Sequence, residues 1–276
     1  MRGELWIAPE VLLANGFSQD LKGLVEMASS MEADICFLPY HDSLLISDLK
    51  ELKTLANDVG LNCALTIDGP FQSLTQQRDL LTIFEEMGRR PLNFQEKLTK
   101  EMWKIVEKMR RVEELGIELA ILCDDLAYKA RLYFSPANFR KYLLPLYRIL
   151  ASEFSSKKIT MGWHSDGNVS AILSDLVNCG FRFFSMESEC VNLLAFKLSY
   201  GNRVTLIGGI RTAWLLKDRL DREQQQECLK EIKNLAAEGG FILASSCGLF
   251  SPESLHRLKE IYSLTKDLAT LPSESE

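Results

Sequence analysis

Eight short β-rich runs alternate with longer amphipathic stretches through this chain, and that alternation constrains its fold more than any other feature. The runs lie at 5–9 (LWIAP), 34–39 (DICFLP), 62–68 (NCALTID), 118–124 (ELAILCD), 158–163 (KITMGW), 181–186 (FRFFSM), 204–210 (VTLIGGI) and 240–246 (GFILASS). Between them, stretches such as 20–32, 47–60, 97–116, 135–154, 169–180 and 221–239 carry apolar residues at helical spacing. Gly60, Gly116, Gly180, Gly201 and Gly239 stand just before the next strand, where helix C-caps belong. Eight βα units in a chain of 276 residues predict an α/β fold of the (β/α)8 TIM-barrel type. An open doubly wound sheet competes, but no GxGxxG follows the first run. No linker or repeat divides the chain, so one domain is expected over 1–270, with a polar tail at 271–276.

In such a barrel the chemistry sits on the loops after the strands. Asp68, Asp124, Asp125, His164, Asp166, Glu187, Arg211 and Cys247 fall there, following the third to eighth strands. The segment MGWHSDGN stands out because side chains two apart on a strand point to the same side, so His164 and Asp166 can converge on one ion or substrate atom. If both runs belong to one barrel, Cys247 shares their rim. An ordinary reading remains open: Asp166, Gly167 and Asn168 as turn residues beside a hydrogen-bonded His164. The Asp124–Asp125 pair likewise fits a helix N-cap as well as a direct role. Trp163 should face away from His164 and pack; His41 reads as structural and His256 as surface.

The formal charge is −6, with basic residues scattered along helical stretches, which argues against nucleic acid or an anionic membrane as the main partner. Glu4, Pro9 and Glu10 interrupt the N-terminal apolar stretch too early for a signal sequence or membrane span. A cytoplasmic protein is expected. Seven cysteines at irregular spacing, without CxxC, read as reduced thiols rather than a disulfide framework.

Four segments in order, DDLAYKARLYFSPANFRKYLLPLYRIL from 124, HSDGNVSAILSDLVNCGF from 164, LLAFKLSYGNRVTLIGGI from 193 and GGFILASSCGLFSPESL from 239, resemble the uroporphyrinogen decarboxylase superfamily. A weaker likeness reaches back to IDGPF at 67–71. Within the superfamily they look most like the corrinoid-dependent, zinc-containing methyltransferases. The resemblance implies a barrel with its site at the C-terminal rim, and zinc held by a His-x-Cys motif and a later Cys. The His maps to His164 and the later Cys to Cys247, while Asp166 replaces the first Cys. The chain is short at its N-terminus relative to the family.

The resemblance therefore implies zinc on His164, Asp166 and Cys247, acting with a corrinoid carried on a partner protein. The methyl group would pass between that corrinoid and a small thiol or methoxylated substrate, contacted by Asp68, Asp125, Tyr128, Glu187 and Arg211. Glu187 could also be a further ligand or a partner of His164. Arg211 stands where many relatives carry an acid, and could meet a carboxylate or sulfonate. A uroporphyrinogen decarboxylase-like lyase acting on a tetrapyrrole is the alternative. It is weakened because only Arg2, Lys22, Lys50 and Lys53 supply cations in the first 77 residues. A non-catalytic corrinoid-binding or assembly partner is a third reading. A homodimer is expected from the superfamily's habit and the long apolar helices.

Overall fold

The computed structural model describes residues 1–41, 43–155 and 157–266, so the tail expected at 271–276 lies outside the described residues. The strands are β1 (Ile35–Pro39), β2 (Asn62–Asp68), β3 (Leu119–Cys123), β4 (Ala127–Tyr128), β5 (Arg131–Leu132), β6 (Thr160–Ser165), β7 (Phe183–Met186), β8 (Thr205–Ile210) and β9 (Phe241–Ser245). All but the β4–β5 hairpin match runs read from the sequence. Their residues are buried in near-continuous series, BBBB in β3 and BBBBB at the end of β8, as parallel strands covered on both faces require.

Contacts group the chain into two compact units. One comprises Met1–Leu38, Glu51–Cys63 and Ser185–Glu276; the other comprises Pro39–Lys50 and Ala64–Phe184. In the second unit β2 pairs parallel with β3, and β3 with β6. The register aligns Asp68 with Cys123 and Cys123 with His164, so three chemically capable residues end neighbouring strands at one level. The long helix Pro91–Val112 covers this unit with Phe94, Leu98, Met102, Ile105, Val106 and Met109 on one buried face. Trp163 is fully buried, as its alternation with His164 predicts.

In the first unit β8 and β9 pair parallel from Leu206↔Phe241 to Ile210↔Ser245. Helix Arg222–Ala236 follows β8 behind a capping box, in which the Asp221 carboxylate accepts from Gln224 N while the Gln224 side chain accepts from Asp221 N. The five glycines expected at C-caps all carry positive φ.

The run at 5–9 corrects the sequence reading. It forms no strand; Arg2 and Ile7 make isolated parallel bridges to Leu243 and Leu249. Pro9 supplies no N–H and opens the helix Pro9–Ala14 instead. The segment is nevertheless fastened in its unit, because the buried Glu4 carboxylate accepts from Ser245 N at 3.0 Å, from Ser245 Oγ and from Tyr262 Oη at 2.9 Å. Burial outweighs these bonds and raises the Glu4 carboxyl above the usual carboxylate range.

Candidate functional site

β3 is followed by two aspartates with opposite fates. Period-two alternation turns consecutive side chains to opposite sides of a strand. Asp124 is fully buried and accepts from Phe71 N at 3.3 Å, Gln72 N at 2.5 Å and Tyr147 Oη at 2.6 Å. It thus satisfies the first N–H groups of helix Pro70–Thr75, whose own preceding residue, Gly69, offers no side-chain cap. Gly69 is required there: a Cβ on it would stand 2.3 Å from Asp124 Cγ. Burial raises the Asp124 carboxyl to about 7, against the opposing pull of its three hydrogen bonds. The cap expected from the DD pair is therefore real, but it serves a helix more than 50 residues earlier in the chain.

Asp125 turns the other way. Its Oδ1 accepts from Asp166 N at 2.9 Å and lies 4.0 Å from His164 Nε2, while Asp166 Oδ1 lies 3.8 Å from the same nitrogen. One ligand atom from each of Asp125, His164 and Asp166 falls within 4.8 Å of the others. All three side chains are partly exposed. The structure therefore joins His164 and Asp166, as the i, i+2 spacing on β6 predicts, and adds Asp125 to them.

These residues fit a zinc ion. Ligand atoms about 2.1 Å from a tetrahedral ion lie about 3.4 Å apart, so the histidine–carboxylate separations of 3.8 and 4.0 Å need close by only about half an ångström for both pairs to share one ion. Two carboxylates balance a divalent charge, and imidazole completes a nitrogen–oxygen donor set that zinc accepts.

The surrounding groups are held still or kept neutral. Gly167, at φ 78°, brings its backbone against Ala127 and Tyr128; a Cβ there would lie 2.7 Å from the Tyr128 carbonyl oxygen. Asn168 N donates to that oxygen at 3.0 Å, and Leu126 N donates to Ser165 Oγ at 3.0 Å. Asp68 ends β2 and accepts from Gln76 Nε2 at 2.9 Å. Burial and the carboxylates of Asp125, Asp68 and Asp124 push the Cys123 thiol well above its ordinary value, so it stays protonated. Tyr133 went unnoticed in the sequence. Burial, then Asp125 and Asp166, raise its phenol, which marks it as a neighbour of the site. Its only sequence signal is the aromatic pair Tyr133–Phe134 soon after the DD motif. Tyr128 is 41% exposed, with its hydroxyl accepting from Arg131 Nε at 2.6 Å.

The remaining expected residues belong to the other unit. Cys247 follows β9, partly exposed, and its sulfur accepts from Thr212 Oγ1 at 3.4 Å. Glu187 follows β7, and its carbonyl accepts from Cys190 N and Val191 N at 3.0 Å. Arg211 pairs with Glu231 and, at 3.6 Å, with Glu227, and lies 5.3 Å over the Trp214 ring. His256 is exposed on its helix and lies 3.2 Å from Glu260, a surface residue as expected. Among the described residues no helix is long and apolar enough to cross a membrane.

A family model for uroporphyrinogen decarboxylase (URO-D) matches residues 50–268. A methylcobamide:CoM methyltransferase MtaA of Methanosarcina barkeri is 29% identical over 150 residues, 54% of this chain and 41% of that protein. The chain thus matches about two fifths of the length of this curated relative. A solved methyltransferase from Methanosarcina mazei superposes with a TM-score of 0.73 at 16% identity, covering 96% of this chain and 92% of the other. A putative vitamin-B12 independent methionine synthase from Listeria monocytogenes gives 0.60 at 14% identity, covering 90% and 85%. At these identities the structural likeness shows the α/β barrel-like fold alone. From the family match, the chain belongs to the uroporphyrinogen decarboxylase family, and the curated relatives it resembles are methylcobamide:CoM methyltransferases.

Proposed function

We propose that this protein is a zinc-dependent methyltransferase that moves a methyl group between a corrinoid protein and a small thiol or methoxylated substrate. The observation that carries this reading is the set of His164, Asp166 and Asp125 at the ends of neighbouring parallel strands. It occurs in a family whose matched relative is a methylcobamide:CoM methyltransferase.

His164 and Asp166 would hold the zinc, with Asp125 beside them, and the family resemblance assigns the thiolate ligand to Cys247. Bound zinc supplies Lewis acidity, drawing charge from a coordinated sulfur or oxygen. Everything else falls to the chain's own side chains. Asp125 anchors the loop after β6 by accepting from Asp166 N, which keeps Asp166 facing His164. Gly167 locks that loop onto the 127–128 backbone. The raised phenol of Tyr133 keeps its proton at neutral pH and is equipped to donate a hydrogen bond to a substrate oxygen. Asp68 and Tyr128 complete the substrate contacts proposed for this unit. Glu187 and Arg211 are those proposed for the other; the Arg211 charge is already shared with Glu231 and Glu227, so a substrate acid there must compete with them.

Elemental analysis of protein purified without chelator tests the reading. About one zinc per chain is expected, lost in His164→Ala and in Cys247→Ala. A parent protein that takes up no zinc after reconstitution would overturn it.

A further inference from the structure

The loop between β3 and the helix Pro136–Tyr142 does more than connect them. β4 and β5 pair antiparallel, Tyr128 against Arg131, and Tyr133 N donates back to the Leu126 carbonyl at 2.9 Å. Asn168 N and Ser165 Oγ bond the hairpin's base to the end of β6, the strand that carries His164 and Asp166. The hairpin is thus built onto the candidate metal loop.

Between this hairpin and residues 168–171 lies a cavity of about 560 Å³, lined by Tyr128, Arg131, Tyr133, Phe134, Asn168 and Ser170 among others. The Tyr128 and Tyr133 rings stack with centroids 6.0 Å apart and planes at 28°. Phe71 backs Tyr133 at 6.5 Å and 29°, and meets the Phe134 ring edge-on at 5.3 Å. A rigid aromatic wall therefore carries a guanidinium at its rim. Arg131 Nε is spent on Tyr128 Oη, but a guanidinium has five N–H donors in a planar fork suited to a carboxylate. Flat apolar faces are complementary to a ring, and a cation at their edge to an anion borne on that ring. A short aliphatic thiol would use neither.

Resting on the function proposed above, we propose that this cavity is the substrate pocket of the same site. It takes a planar aromatic carboxylate, with the ring on Tyr128 and Tyr133 and the carboxylate toward Arg131. The hairpin, which carries none of the proposed zinc ligands, then decides the substrate class.

Isothermal titration of the full-length protein, with and without zinc, tests this with 4-methoxybenzoate, methoxybenzene and 2-mercaptoethanol as probes. Saturable 1:1 binding of 4-methoxybenzoate is expected, about 10-fold or more tighter than methoxybenzene. Tyr128→Ala and Arg131→Ala should each weaken it about 10-fold, Tyr128→Phe should keep it within a few fold, and Arg131→Lys should recover part of the loss. Unchanged melting temperatures would show that these variants remain folded. Binding that ignores the carboxylate, or survives both alanine variants, overturns the proposal, as does preference for the thiol. Zinc measured in the same preparations separates the two claims. Zinc retained without aromatic binding defeats the pocket and leaves the metal reading standing, whereas aromatic binding in a protein that takes no zinc does the reverse.

Discussion

Each of the two compact units secures a strand end with a buried carboxylate on a buried tyrosine, yet they set out different chemistry beside it. In one, Asp124 and Tyr147 lie under the exposed side of the β3 end, where Asp125 joins His164 and Asp166. In the other, Glu4 and Tyr262 fasten the N-terminal segment to β9, and the loop after β8 carries Arg211 already paired with Glu231 and Glu227. The same device, a desolvated acid whose burial is partly offset by hydrogen bonds, serves in both places as a fastener. What differs is the charged group nearby, at the same strand end in one unit and after the adjacent strand β8 in the other. A second acid beside a histidine offers donor atoms suited to a cation, whereas an arginine between glutamates neutralises itself.

The largest expected difference is in metal affinity. His164→Ala should lower zinc affinity by about 100-fold or more, since even residues that only orient a ligand cost 10–100-fold. Arg211→Ala should leave it unchanged; chelator competition reads both, and equal losses would erase the contrast between the units. Next come the two fasteners. Asp124→Ala and Glu4→Ala should each cost about 2–4 kcal/mol in urea unfolding, because each strands several buried donors. A near-neutral Glu4→Ala would show that the N-terminal segment is carried by its apolar contacts alone.

A pH series sharpens the comparison further. The Glu4 carboxyl is raised in the folded protein, so its protonated form is favoured by folding. The stability it contributes is full below the unfolded carboxylate value near 4.3 and is lost as pH rises through the folded value. Relative to Glu4→Gln, the parent should therefore lose up to about 1.4 kcal/mol per pH unit across that window. A difference that grows with pH in the parent's favour would reverse the assignment. The smallest effect is expected at Arg211: the side chains of its ion pairs are 31–51% exposed, and Arg211→Ala should cost under about 1 kcal/mol.

Local pattern was enough to locate β3 within a residue of each end, because a buried parallel strand is a short apolar run with turn residues beyond it. The run at 5–9 alternates correctly, with Leu5 and Ile7 buried and Trp6 exposed. It fails as a strand because its pairing is confined to isolated bridges with a segment some 240 residues away. The β4–β5 hairpin has two-residue strands, too short to show any period, and its Lys129–Ala130 turn lacks the Asn or Gly that announces one. For the same reason, Tyr128 could be named from its place after β3, but its stacking partner Tyr133 could not.

By itself, the sequence determined that strands and helices alternate and that His164 and Asp166 share one side of the β6 end. Those are consequences of period and covalent order. Only the tertiary structure decided which aspartate went inside, because that depends on Tyr147 and the helix at Pro70 being present to repay its desolvation. It also decided that Asp125 rather than Asp124 stands beside His164, since a carboxylate left at the rim keeps its charge in reach of water and of a cation.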